Sequence, residues 1–199
     1  MTLADLKDHG GSLVSPVVSV AARLGLTPNQ VSLLSFAVAV AAAAAFYVAT
    51  TTSTLLGLAL LLFSGLLDVV DGELARSLDV ASRRGDMLDH TLDRYSDLVV
   101  LLGIAGGVDA WLLGAFALSG VLLTSYMGTQ AQAVGAGRDY GGLMGRADRF
   151  AIVLVAGVLE ALALDVSGYT AFEGALVLFA VVGNLTALQR FHGAWRELE

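Results

Sequence analysis

The chain has 199 residues, 56% of them hydrophobic, a mean hydropathy of +0.76 and a formal net charge of −7. That length excludes two substantial domains, that hydropathy excludes an ordinary soluble one, and so acidic a chain is not expected to bind nucleic acid. With no cysteine there are neither disulfides nor thiolate metal sites.

The N-terminal stretch "MTLADLKDHGGSLVSPVVSVAARLG" has no long apolar core and no small-residue cleavage site, which argues against a cleaved signal peptide. Its apolar residues, interrupted by Lys7, Asp8, His9 and Arg23, predict an amphipathic helix lying in the membrane interface. From Leu24 to Leu67, 44 positions, no residue is charged. A crossing needs roughly 20 apolar residues, so the stretch accommodates two. A first crossing over Val31 to Thr50 comes after "TPNQ", a helix start. "TTTST" is read as the turn, and the next helices are predicted over Thr54 to Leu78, Gly85 to Gly107 and Ala110 to Val134. A fifth runs from Arg146 to Leu164, interrupted by Glu160, and the last from Thr170 to Trp195. The expectation is one all-α membrane domain over residues 1–199, with six transmembrane helices and no alternating β-barrel segments.

The basic residues orient it. With the N-terminus inside, Lys7 and all ten arginines fall at cytoplasmic ends, whereas the opposite connections near Thr51, Asp109 and Asp165 hold none. The protein is therefore placed in the cell membrane as a multi-pass protein. The Arg-over-Lys, Ala-rich and acidic composition suits either a high-salt organism or a GC-rich genome.

Residues 66–98 carry eight acidic side chains between two apolar runs. The second helix is apolar first ("LLGLALLLFSGLL") and polar last; the third is polar first ("GDMLDHTLDRYSD") and apolar last. As an antiparallel pair, their polar halves meet on the cytoplasmic side. Asp68 and Asp71, spaced i, i+3, share one helix face; Gly85, Asp89 and Asp93, spaced i, i+4, i+8, share another. Four neighbouring carboxylates repel one another unless a cation lies between them. Oxygen donors without thiolates suit Mg²⁺ or Mn²⁺, and there is room for two ions and a pyrophosphate. Gly72 and Gly85 let a phosphate approach the backbone, with Arg76 one turn beyond Gly72.

These residues carry a resemblance. "DVVDGELARSLDVASRRGDMLDHTLD" is similar to the signature of the CDP-alcohol phosphotransferases, D-x-x-D-G-x-x-A-R, eight residues, G-x-x-x-D-x-x-x-D. All eight fixed positions are present: Asp68, Asp71, Gly72, Ala75, Arg76, Gly85, Asp89 and Asp93. The resemblance implies metal-dependent transfer of a phosphatidyl-type group from a CDP-linked lipid, CDP-archaeol or CDP-diacylglycerol, to an alcohol, with release of CMP. It assigns metal binding to Asp68, Asp71, Asp89 and Asp93, and proton removal from the acceptor hydroxyl to Asp93. It assigns contacts with the CDP part to Asn29, Ser32, Gly72, Arg76 and Ser82, and it implies a homodimer.

The run "SYMGTQAQAVGAGRDYGGLMGRADRF" resembles the inositol-phosphate-using branch, which includes archaetidylinositol and phosphatidylinositol phosphate synthases, in Ser125-Tyr126 and "GRADR". By that likeness Arg149 and Arg190, with Arg146 as a third, bind the acceptor's phosphate; bidentate guanidinium contacts suit a phosphomonoester. The branch carries basic residues just after the Ser-Tyr pair, where this chain has Met127 to Gln132. Inositol phosphate or a related polyol phosphate is the expected acceptor, with glycerol phosphate, serine or another alcohol as alternatives. Asp79, Asp86 and Asp97 read as solvated or supporting acids, Glu73 as pocket-edge polarity, and His90 and His192 as interfacial side chains. Buried acids also mark ion pathways, so a transporter is the rival class. Against it stand the one-sided position of the acids and the lack of an inverted repeat.

Overall fold

The structure, a computed structural model, describes residues 14–137, 142–163 and 168–198. Lys7, Asp8, His9, Arg138 and Asp165, and the first part of the expected interfacial helix, lie outside the described residues. The described chain is helical: α1 (Val14–Arg23), α2 (Pro28–Val48), α3 (Thr51–Ser77), α4 (Arg83–Gly107), α5 (Trp111–Ala133) and α6 (Arg146–Ala161). A final helix has three parts: α7 (Ala171–Leu178), a π-helical turn (Phe179–Gly183) and α8 (Asn184–Glu197).

Local chemistry sets the ends. Pro28 opens α2 from its first position, where its missing N–H is not needed, after Thr27 and Gln30 exchange side chain-to-backbone hydrogen bonds (2.9 and 3.3 Å). Thr50 and Ser53 repeat that exchange (2.9 and 3.2 Å), so α3 starts three residues before the expected Thr54, and most of "TTTST" is helix. At the other end of α3, Asp79 takes a left-handed φ of 54°, with Asp79 N–H on the Arg76 carbonyl (3.2 Å) and Val80 N–H on that of Ala75 (3.0 Å). This pair of bonds ends the helix, so Asp79 serves as a stop.

Among the described residues, four helices are long and apolar enough to cross a membrane: α2, α3, α5 and the composite Ala171–Glu197. The remaining two expected crossings exist as helices of a different character. α4 has 25 residues but a polar first half, and α6 has 16 residues. Glu160, near the end of α6, accepts the Phe172 backbone N–H at 3.0 Å and so supplies a partner to the start of α7.

The chain divides into two compact units, residues 1–41 with 59–96, and residues 42–58 with 97–199. In the first, Val14, Val18 and Ala21 of α1 form one core with Val31 of α2 and Leu67, Val70 and Leu74 of α3. Beside it, Ser35 and Ser64 each donate to the other's backbone carbonyl (2.9 and 3.0 Å), joining α2 to α3 with no hydroxyl left over. In the second, Phe172 meets the fully buried Phe46 edge-on at 5.4 Å, and α5 packs along the π turn and α8.

Candidate active site

In the first unit, α3 and α4 bring the motif's acids together. One carboxylate oxygen from each of Asp68, Asp71 and Asp89 lies within 4.8 Å of the others, and one ligand atom from each of Asp89, His90 and Asp93 does the same. Asp89 belongs to both groups. The i, i+3 spacing on α3 and the i, i+4 spacing on α4 produce this convergence, because each pair occupies one stripe. Asp71 and Asp93 are buried, at 6% and 5% exposure, and Asp68 and Asp89 are half-buried.

The donor set fits a hard divalent cation. Two oxygens about 2.1 Å from an octahedral ion stand about 3 Å apart when adjacent and about 4.2 Å when opposite. The triangle of oxygens from Asp68, Asp71 and Asp89, within 4.8 Å of one another, is close to that spacing. The first group is all carboxylate, the donor type Mg²⁺ and Mn²⁺ favour, and the second adds one imidazole. His90, not counted as a ligand candidate from the sequence, stands in the second group and lies 3.4 Å from Asp86.

Asp71 is held from outside that triangle. The Ser32 hydroxyl donates to Asp71 Oδ2 at 2.6 Å, with Ser32 itself 7% exposed. A hydroxyl has one proton, so its contact with the Pro28 carbonyl at 3.1 Å is secondary. Asn29, one turn earlier on α2, is exposed and reaches α4: a Cβ added to Gly85 would lie 3.5 Å from Asn29 Oδ1 and 3.3 Å from Ser82 Oγ. Ser82 accepts the Gly85 N–H at 3.1 Å, which starts α4. Asn29, Ser82 and Gly85 thus lie together, whereas Ser32 turns to the carboxylates. Gly72 is approached by the Arg76 guanidinium, 3.6 Å from where its Cβ would stand. Arg76 is exposed and pairs with Glu73 at 2.8 Å, which gives Glu73 a partner the sequence did not suggest.

In the second unit, Arg149 is 7% exposed and its Nη2 donates to Asp97 Oδ2 at 3.1 Å, while its buried Nε makes no hydrogen bond among the described residues. A buried guanidinium with an unused N–H is suited to an anion. Asp97 continues the i, i+4 series of Asp89 and Asp93 along α4, a spacing that marks it as more than a solvated acid. Arg190 is 8% exposed and donates through Nη1 to the Thr124 carbonyl at 2.8 Å. Arg146 is exposed at the first position of α6, where Asp148 accepts the Gly145 N–H at 2.7 Å; the acid in "GRADR" is thus a capping group.

The profile of the family described as CDP-alcohol phosphatidyltransferase matches residues 25–186. The chain is 32% identical over 179 residues to a Pyrococcus horikoshii protein named archaetidylinositol phosphate synthase, covering 89% of this chain and 88% of that one. It is similar to the crystal structure of Mycobacterium tuberculosis phosphatidylinositol phosphate synthase with CDP-DAG bound, at a TM-score of 0.79 and 27% identity, over 92% of this chain and 94% of that one. The structure of the same enzyme with manganese and citrate gives a TM-score of 0.78 at 28% identity, covering 90% and 88% of the two chains.

Proposed function

The chain belongs to the CDP-alcohol phosphatidyltransferase family, and from that premise we propose that it transfers the phosphatidyl-type group of a CDP-linked lipid to an inositol phosphate, releasing CMP. The observation that carries the reading is the convergence of Asp68, Asp71 and Asp89, with Asp93 grouped around the shared Asp89, all at motif positions. Relatives named for inositol phosphate synthesis, and structural neighbours holding CDP-DAG or manganese, support it.

The chemistry is displacement at phosphorus. The acceptor's hydroxyl oxygen bonds to the lipid-side phosphorus, the anhydride P–O bond breaks, and CMP departs with the bridging oxygen and its electron pair. The hydroxyl's proton passes to the Asp93 carboxylate. Mg²⁺ or Mn²⁺, held by Asp68, Asp71, Asp89 and Asp93, supplies neutralisation of pyrophosphate charge. Asn29, Ser82, Gly72 and Arg76 are proposed to hold the CDP part. Ser32, assigned to that group by the resemblance, acts there through Asp71. Arg146, Arg149 and Arg190 are proposed to bind the acceptor's phosphate, where the buried guanidinium groups of Arg149 and Arg190 outcompete water for a phosphomonoester.

The same reading has α2 to α6 and the final helix as six crossings of the cell membrane in one functional domain. It places the N-terminal helix in the interface, the aspartates on the cytoplasmic side, and a homodimer as the working form. The basic residues at the expected inner ends support the orientation.

The test is direct. Purified protein in nanodiscs is incubated with CDP-archaeol or CDP-diacylglycerol and, separately, with inositol phosphate, inositol, glycerol phosphate or serine, with Mg²⁺, Mn²⁺ or EDTA. CMP release that needs both metal and inositol phosphate, with the matching phospholipid identified by mass spectrometry, is expected. Ion flux in proteoliposomes without CMP from any pair would overturn the reading.

A further inference from the structure

The final helix is not a regular helix. Eighteen residues separate Phe172 from Arg190, five turns at 3.6 residues per turn, so a regular α-helix would place both on one face. Phe172 packs on Phe46, and Arg190 bonds to the Thr124 carbonyl of α5. Between them lies the π turn Phe179–Gly183, whose wider winding absorbs about one extra residue and so turns Arg190 about 100° from the position a regular helix would give it.

Such a turn departs from the regular ladder, and inside a membrane a carbonyl it leaves out needs a donor. Side chains donate to three carbonyls around it. Asn184 Nδ2 donates to the Ala180 carbonyl at 2.7 Å, and the Thr186 hydroxyl to Val182 at 2.7 Å. The third donor comes from another helix: Thr124 Oγ1 donates to the Gly183 carbonyl at 2.8 Å, with Thr124 only 2% exposed. The helices approach closely enough for this because Gly120 faces Gly183. A Cβ on Gly120 would stand 2.5 Å from the Phe179 carbonyl oxygen, and one on Gly183 would stand 3.1 Å from Gly120 Cα. Beyond Gly183, Ala187 and Arg190 continue the stripe at i+4 and i+7, both buried.

Thr124 therefore touches both ends of one arrangement. Its hydroxyl donates to the carbonyl that ends the π turn, and its own carbonyl accepts from Arg190, seven residues beyond Gly183. We propose that the π turn is a register device aiming Arg190 at the acceptor's phosphate, and that Thr124 is the positioning residue that keeps it wound. This rests on the reading of Arg190 as an acceptor-phosphate residue.

The experiment measures steady-state CMP release with inositol phosphate and CDP-lipid varied separately. Thr124→Val keeps the shape and removes the hydroxyl. It is expected to raise the KM for inositol phosphate about fivefold to tenfold, the worth of one buried hydrogen bond, with kcat and the CDP-lipid KM within about twofold. Thr124→Ser is expected to restore the parent KM, and in an Arg190→Gln background Thr124→Val should add nothing. Deleting Val181, which removes the extra residue, should raise the same KM more than Thr124→Val does. If Thr124→Val does not give a monodisperse protein, Thr124→Ala serves in its place. A parent-like acceptor KM in the hydroxyl-free variant overturns the proposal, as does an equal rise in both KM values, which marks a merely structural residue. A parent enzyme that uses only unphosphorylated alcohols refutes the acceptor reading itself, and the proposal with it.

Discussion

Replacing Ser32 by alanine separates two roles that this residue can have. Its hydroxyl stands 2.6 Å from Asp71 Oδ2, and both residues are buried, at 7% and 6% exposure. A hydrogen bond to a charged group contributes about 1.5–3 kcal/mol, which would be roughly a 10- to 150-fold change in affinity if all of it appeared in ion binding. It does not all appear there, because the bond exists before and after an ion arrives, and only the difference counts. Loss of groups that orient metal ligands weakens metal binding by about 10- to 100-fold, and the lower end is expected here. Ser32→Ala should therefore raise the Mn²⁺ dissociation constant about tenfold, read from the electron paramagnetic resonance signal of free Mn²⁺. Asn29→Ala should leave Mn²⁺ binding alone and raise the KM for CDP-lipid. Parent-like Mn²⁺ affinity in Ser32→Ala, together with a raised CDP-lipid KM, would refute the reasoning and return Ser32 to the nucleotide.

Three further outcomes are expected. Asp93→Asn should lower turnover by about 10²- to 10⁴-fold, the usual contribution of a general base, while retaining CDP-lipid binding in a filter assay. Asp97→Asn removes the charged partner of a buried guanidinium; the acceptor KM should rise and the protein should lose about 3 kcal/mol of stability, seen as a lower Tm in detergent. Glu160→Gln weakens the bond to the Phe172 N–H and should lower Tm by the equivalent of about 1 kcal/mol while leaving both KM values unchanged.

The carboxylate cluster was legible because its information is local. Helical spacing decides which acids share a face, and a motif of eight residues in register specifies two facing stripes before any packing is known. The helices themselves were legible for the same reason, with ends shifted by a few residues where Thr50 caps α3 earlier than the apolar pattern suggests. α6 was the least evident, since Glu160 interrupts its hydropathy. Its partner, the Phe172 N–H, lies on another helix and explains the interruption only once both are placed.

Other features depend on residues far apart in the chain. Ser32 and Asp71 are 39 positions apart, Asp97 and Arg149 are 52, and Thr124 and Arg190 are 66. No periodicity within one helix encodes which hydroxyl meets which carboxylate, because that depends on how neighbouring helices pack. The π turn belongs with these. "FAVVGNLTALQR" reads as ordinary apolar helix, and its irregular winding comes with side-chain donations from Asn184, Thr186 and, across the α5 contact, Thr124. Composition and spacing along single helices thus dictated apolar helices of membrane-crossing character and clustered acids with the geometry to hold a metal ion. Contacts between helices decided which groups orient those acids and the arginines, since a hydrogen bond forms only where packing brings its two ends together.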